Sequence, residues 1–513
     1  MKNKKSKIAM NGALVSTLML TGVLSACSNP VQPGSSANGT AEKPKPVLKV
    51  MAEYDALAKP GTDETSKATE ERTGYKVEYS MLPADDPVQK LSIEVAAGAD
   101  YDIIRMQPEA FRLLASQNAL MPLNDLLDKY GQNVLDGIPK EAWELTTING
   151  KIYGIPKRSE RLNISQGIGI RSDLLDSLGM KMPTTMDEFY QTLKAIKENN
   201  KDMIPLTSTS VQIPTIKSAF GLYNPWMEVN GEIVPALKLP AMKDYMSFMI
   251  KLYNEGLLDR DLPVNKKVVV DEKFAGGKAA AIPTDWKASQ AQFSALYKNN
   301  AKAKTDIIQP LIGKNGEQGI SVNANMVYAT VILKSAKHPE DAMKFMNARM
   351  DPKNFEYLAL GKEGETFTKQ NGKYIPIMPA LSEKRGEAYW YLFGIREKEY
   401  SEMWLARLRR DAILFETYEK VNKDYSKLAH FNITGMMPPL ESYTKYNAAL
   451  SKLEDDYYTQ LLVGSEKLDN YDRFIKKWED AGGAAVTKDI NNWYKNGGKQ
   501  FTENLLKTYP AGY

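Results

Sequence analysis

Apolar positions in this chain fall into short runs, and the spacing within them switches back and forth between strand and helix periods. Val47-Leu48-Lys49-Val50-Met51 predicts a short buried strand. A polar loop leads to a helical pattern over 64–73, which Gly74 interrupts. Tyr75-Lys76-Val77-Glu78-Tyr79 then alternates as a second strand. Residues 87–98 repeat with helical spacing and end on a glycine, 102–106 read as a strand, 120–129 as a helix and 151–156 as a strand. A second round begins at 167–171 and continues through helices at 171–178, 186–198 and 241–255 to a strand at 279–282. A strand at 327–333 precedes a helix at 339–350, and the final third is mostly helical. Such alternation predicts an α/β fold built on a largely parallel sheet.

The first 46 residues follow another pattern. Lys2, Lys4, Lys5 and Lys7 stand before an apolar run that ends in Leu24-Ser25-Ala26-Cys27, with no acid among them. A positive start, an apolar middle and small residues before the cut predict a secretory signal over 1–26. The run is short and broken by Asn11 and Gly12, which suits cleavage better than a permanent membrane span. Leu24-Ser25-Ala26-Cys27 resembles the bacterial lipobox, which implies a fatty acyl (palmitate) anchor on Cys27. An ordinary signal with an incidental cysteine is the other reading. Residues 27–46 are rich in Pro, Gly, Ser and Asn and predict a flexible tether.

Charge and cysteine count then narrow the function classes. Cys27 is the only cysteine, so no intramolecular disulfide can form. The chain holds 67 Lys+Arg and 63 Asp+Glu; removing the four signal lysines leaves 63 against 63. A balanced body argues against nucleic acid as a partner, and no basic-aromatic cluster suggests a strand-binding groove. His338 and His430 are the only histidines, so a zinc centre or a serine-histidine mechanism lacks its parts. Gly276-Gly277-Lys278 lacks the upstream glycine and following Ser/Thr of a phosphate loop. No enzyme and no cofactor is expected.

Several stretches together resemble a known family. They include Ala99-Asp100-Tyr101-Asp102-Ile103-Ile104, Asn149-Gly150-Lys151-Ile152-Tyr153-Gly154-Ile155-Pro156 and Pro183-Thr184-Thr185-Met186-Asp187-Glu188-Phe189. Ile170-Arg171-Ser172-Asp173-Leu174-Leu175, Phe274-Ala275-Gly276-Gly277-Lys278-Ala279-Ala280-Ala281 and Gly361-Lys362-Glu363-Gly364-Glu365-Thr366-Phe367 continue the match. In this order they resemble the extracellular solute-binding proteins of ATP-driven (ABC) importers, in the large sugar-binding lipoprotein branch. The resemblance implies a two-lobed periplasmic-binding-protein-like fold of type II. One lobe is expected from 47–156 with 320–380 and the other from 157–319 with 381–513. Crossings between lobes are expected just past 156, near 318–325 and around 376–383. The lobes close on ligand by hinge bending, and ligand sits at strand ends in the cleft. Some large members carry a calcium loop where this chain reads Glu198-Asn199-Asn200-Lys201-Asp202-Met203-Ile204-Pro205. That stretch lacks the alternating oxygen ligands and the turn glycine, so no calcium is expected there.

The expected role is capture of an oligosaccharide and its delivery to membrane permease subunits, by a lipid-anchored monomer on the outer face of the cell membrane. A glycan-processing enzyme and a peptide-binding lipoprotein are the alternatives. A sugar presents apolar ring faces and hydroxyl edges, so its site needs aromatic platforms beside acids, amides and guanidiniums. Trp286 follows the strand at 279–282 and is the first choice for stacking, with Asp285 beside it as a hydrogen-bonding group. Trp226 is placed in a loop and is the second choice. Trp390 and Tyr391 lie near an expected crossing. Glu53 and Tyr54 follow the first strand, Arg105 and Gln107 the strand at 102–106, and Arg158, Glu160 and Arg161 the first crossing. Arg158 and Arg161 suit a uronic acid carboxylate, because guanidinium pairs with it bidentately. Trp143, Trp404, Trp478 and Trp493 fall on helical patterns and are expected in the core.

Overall fold

The computed structural model describes residues 44–53, 59–83, 87–159, 163–164, 166–324 and 326–508. From the start of this span, the chain forms β1 (Leu48–Ala52), α1 (Glu64–Thr73), β2 (Val77–Met81), β3 (Ile103–Met106), α2 (Pro108–Ser116) and β4 (Ile155–Arg158). It passes through β5 (Asn163–Ile164) into β6 (Gly167–Arg171), α3 (Met186–Asn199), β7 (Ile204–Leu206) and α4 (Pro214–Ser218). A hairpin of β8 (Trp226–Val229) and β9 (Glu232–Pro235) comes before β10 (Ala279–Thr284), α5 (Trp286–Asn299) and β11 (Thr305–Ile308). The return runs through β12 (Ile320–Asn323) directly into β13 (Met326–Val331). Helices then dominate: α6 (Pro339–Arg349), α7 (Glu397–Leu408), α8 (Ala412–Tyr425), α9 (Glu441–Leu462), α10 (Tyr471–Trp478) and α11 (Lys499–Lys507), with β14 (Ala429–Phe431) after α8.

Local chemistry fixes the ends of these elements. Asp63 caps α1 by accepting from the Ser66 amide at 2.8 Å, and Gly74 stops it at φ 69°. Thr185 and Glu188 form a reciprocal capping box at the start of α3. Asp102, 1 % exposed, accepts from the backbone amides of Lys49 at 3.0 Å and His338 at 2.8 Å. It thereby ties the start of β3 to β1 and to the entry of α6.

The strands make two main sheets and a small one. The first has the order β2-β1-β3-β13-β4. β1 runs parallel to β2 and β3, while β13 is antiparallel to both its neighbours. The second has the order β11-β6-β10-β7, with β10 parallel to β7 and antiparallel to β6. The third, β14-β12-β5, contains two of the segments by which the chain passes between the larger sheets. This is the two-lobed α/β fold expected from the sequence; β4 and β6 lie in different sheets, as do β11 and β13.

Each main sheet is covered on both faces, which is why its strands are apolar at successive positions. On one face of the first sheet, Leu48, Val50 and Ile103 pack with Met343 and Met346 of α6. On the other, Met51, Ile104 and Met106 pack with Phe111 and Leu114 of α2 and with Leu505 of α11. The second sheet buries Ile168, Ile170 and Leu206 against α3, α9 and α10, and Ile282 against Phe293 and Leu296 of α5.

Three expectations need correction. The crossing placed around 376–383 is absent, and the third strand of the small sheet is β14 at 429–431. Leu381, Leu392, Phe393 and Leu408 instead share the apolar cluster of the first sheet, a departure from the boundary drawn at 381. Trp226 lies on strand β8 and not in a loop. The strand read at 151–156 is shifted to 155–158, because Asn149 and Gly150, at φ 50° and 74°, turn a small hairpin just before it.

Candidate functional site

The parallel strands β1 and β3 end side by side, and the residues following such ends line the cleft in open α/β sheets. Four of the predicted site residues meet here. The Arg105 guanidinium donates to the carbonyl of Trp390 at 2.5 Å and to the carbonyl of Glu53. It lies 4.8 Å from the centre of the Tyr328 ring and 5.8 Å from those of Trp390 and Phe393. With 3 % of its surface exposed, Arg105 is a cross-brace that holds three chain segments at the strand ends. Gln107 is exposed and donates from Nε2 to Oε1 of Glu53 at 2.8 Å. Trp390 is half-buried in a single turn over 388–391, so part of its indole remains open.

Sequence reasoning missed two members of this cluster. Lys157 on β4 is fully buried and donates to the Tyr389 hydroxyl at 3.0 Å. Its ammonium stands 4.7 Å from the Tyr389 ring and 5.4 Å from the Tyr328 ring. A lysine inside an apolar strand that ends at a crossing was the available signal. The arrangement offers a half-open indole and tyrosine, a carboxylate, a carboxamide and a buried cationic floor. Those groups can stack on an apolar ring face and hydrogen-bond a hydroxyl edge.

The other predicted residues are placed elsewhere. Trp286, 4 % exposed, meets Trp404 edge-on at 5.4 Å and Tyr418 at 5.3 Å, while Trp404 and Tyr418 lie 4.9 Å apart. In place of an open stacking platform, it is part of an aromatic core where α5, α7 and α8 meet. Asp285 caps α5, its carboxylate accepting from the amides of Lys287 and Ala288, both at 2.7 Å. Tyr391 is fully buried and donates to the Asp63 carboxylate, bracing the start of α1. Arg158 is also fully buried, and Nε contacts both Glu397 carboxylate oxygens at 3.0 and 3.2 Å. One terminal nitrogen completes that pair, and the other donates to the Thr508 hydroxyl at 2.8 Å. The carboxylate partner foreseen for Arg158 from a ligand is thus supplied by the protein itself. Trp226 is 5 % exposed, with its ring 6.1 Å from that of Trp478, and it walls a cavity in the second half of the chain. Tyr54, Glu160, Arg161 and Cys27 lie outside the described residues. Among the described residues no three His, Cys, Asp or Glu side chains gather in a group able to hold a metal ion.

Comparison with known proteins places the chain among relatives of the same fold. The chain is 28 % identical over 384 residues to the polygalacturonan/rhamnogalacturonan-binding protein YtcQ of Bacillus subtilis, covering 70 % of this chain and 74 % of that one. It is 24 % identical over 453 residues to the lipoprotein LipO of the same organism, covering 83 % and 87 %. The substrate-binding protein FusA of Streptococcus pneumoniae, solved with kestose, superposes with a TM-score of 0.67 at 19 % identity, over 90 % of this chain and all of that one. That likeness is one of fold. The family model for bacterial extracellular solute-binding proteins matches residues 49–354, and the chain belongs to that family.

Proposed function

We propose that this protein captures an oligosaccharide between its two main sheets and delivers it to the membrane permease of an ABC importer, without transforming it. The observation that carries the reading is the cluster of Glu53, Arg105, Gln107 and Trp390 at the ends of β1 and β3, joined by Lys157 and Tyr389. Relatives named for polygalacturonan/rhamnogalacturonan and for fructooligosaccharide support a carbohydrate ligand. The lipobox-like Leu24-Ser25-Ala26-Cys27 supports anchoring of the protein to the outer face of the membrane by a lipid on Cys27.

Thermal unfolding in the presence of glycan and peptide panels tests this. A ligand that binds only the folded chain stabilises it by about 2.7 kcal/mol at a hundred times its Kd. A rise in Tm is expected with oligosaccharides and not with peptides. A rise with peptides alone refutes carbohydrate capture, and release of new reducing ends from a bound glycan refutes the absence of turnover.

A further inference from the structure

The segment packed beyond the end of β7 is held more firmly than its exposed position requires. The amide of Asp259 donates to the carbonyl of Leu206, the last residue of β7, at 2.9 Å. β7 runs parallel to β10, whose last residue Thr284 pairs with Gly167. Gly167 opens β6 just after the crossing strand β5. The segment from 259 therefore starts at the strand ends nearest the passage between the two main sheets. It also lies at the margin, since β7 is the outermost strand of its sheet. That is the rim of the cleft.

An ion cluster pins this segment. Nζ of Lys273 donates to Oδ2 of Asp259 at 2.8 Å, to Oδ2 of Asp261 at 2.9 Å and to Oδ1 of Asn265 at 3.0 Å. All three donors of the ammonium are thereby used. Asp259, 2 % exposed, also accepts from the Thr207 hydroxyl at 2.6 Å and from Nδ2 of Asn265 at 2.9 Å. On the inner side, Val270 and Phe274 of the helix Lys267–Ala275 share an apolar cluster with Ile282 of β10. The side chains held outward are nonetheless apolar: Val264 is 78 % exposed, Val268 67 % and Val269 40 %.

This outward face does not serve the helix that carries it. Val268, Val269 and Val270 are β-branched and lose side-chain freedom in a helix. Lys266 stands at the N-cap without a capping hydrogen bond, Lys267 follows it, and no acid lies in the first turn. Cations there oppose the positive end of the helix dipole. Local rules broken together on a rigidly held, exposed apolar face mark a surface kept for a partner. The chemistry of the face selects among partners. A lipid surface is met by Trp, Phe or Leu beside lysine, and the exposed residues over 263–269 include none of them. A second copy docked by twofold symmetry sets Lys266 and Lys267 against the same two lysines. A captured ligand leaves the cleft past this rim, so the partner that receives it covers the rim. We infer that Val264, Lys266, Val268 and Val269 form a docking face for the membrane permease, whose matching surface is apolar with acidic groups. The inference rests on the importer reading above and adds the place of contact.

Two measurements on the full chain in its producing cells test it. Val264→Glu and Val268→Glu place a carboxylate on side chains that are mostly exposed, so the fold is kept, and an unchanged Tm checks this. Uptake of labelled kestose or galacturonan oligomers, whichever the parent binds, should fall about tenfold or more in cells carrying either variant in place of the parent. A charge carried into an apolar contact without a partner weakens association by at least that factor. Calorimetric affinity for the same saccharide should equal the parent's. In the second measurement, p-benzoylphenylalanine at position 264 should cross-link on irradiation of intact cells to a permease subunit, identified by mass spectrometry. Parent-like uptake in both variants, weakened saccharide affinity, or no permease subunit among the cross-links (a second copy or lipid in its place) overturns the docking face and leaves the importer reading standing. A parent that neither binds nor imports any saccharide overturns both.

Discussion

Trp286 and Arg158 show how a residue's role depends on what arrives beside it. Both stand at strand ends, where a two-lobed binder exposes groups to ligand, and both are used internally. Trp286 is enclosed because Trp404 and Tyr418 come from helices more than a hundred residues later. Arg158 is enclosed because Glu397 and Thr508 reach it from still farther. Local spacing cannot report partners at that separation. Trp286→Ala should therefore destabilise the fold by about 3–5 kcal/mol, the range for deleting a large buried aromatic, seen as a lower denaturant midpoint. Unchanged stability with lost saccharide affinity would return Trp286 to the binding site. Gln107 and Glu53, by contrast, follow directly on the ends of neighbouring parallel strands and meet each other there.

At the level of elements, strands and helices were readable wherever turn chemistry punctuated an apolar run. The β8–β9 hairpin escaped despite carrying Asn230-Gly231, the strongest short-range hairpin signal. Its central residues take φ 52° and 83°, and the paired strands hold Trp226 opposite Pro235 at the wall of a cavity. Gly231→Val forces a β-branched residue into the left-handed region and should destabilise the protein by about 1–2 kcal/mol. Chemical denaturation measures that loss, and a stability equal to the parent's would mean the turn relaxes to another conformation. The capped helices were easier to read, because the acceptors at Asp63 and Thr185 lie within three residues of the amides they satisfy.

For the whole molecule, the first 46 residues and the folded body differ in composition. Lys2, Lys4, Lys5 and Lys7 account for the apparent excess of positive charge, and the remaining chain is balanced. Cys27→Ser should shift the protein from the membrane fraction to the medium and abolish labelling by a radioactive palmitate precursor. Retention on membranes without label would remove the lipid from the account. Sequence alone determined the α/β class, the alternation of elements, the family resemblance and the chemistry available at the ends of β1 and β3. Each of these follows from periodicity, caps and short motifs, which act over a few residues. Only the tertiary structure decided that 381–408 joins the first sheet, that the late crossing is at β14, and that Trp286 and Arg158 are enclosed. It alone brought Lys217 and Glu454 to one cavity beside Trp226. Those outcomes depend on which distant apolar faces cover one another, and burial, unlike turn chemistry, is settled by the whole chain at once.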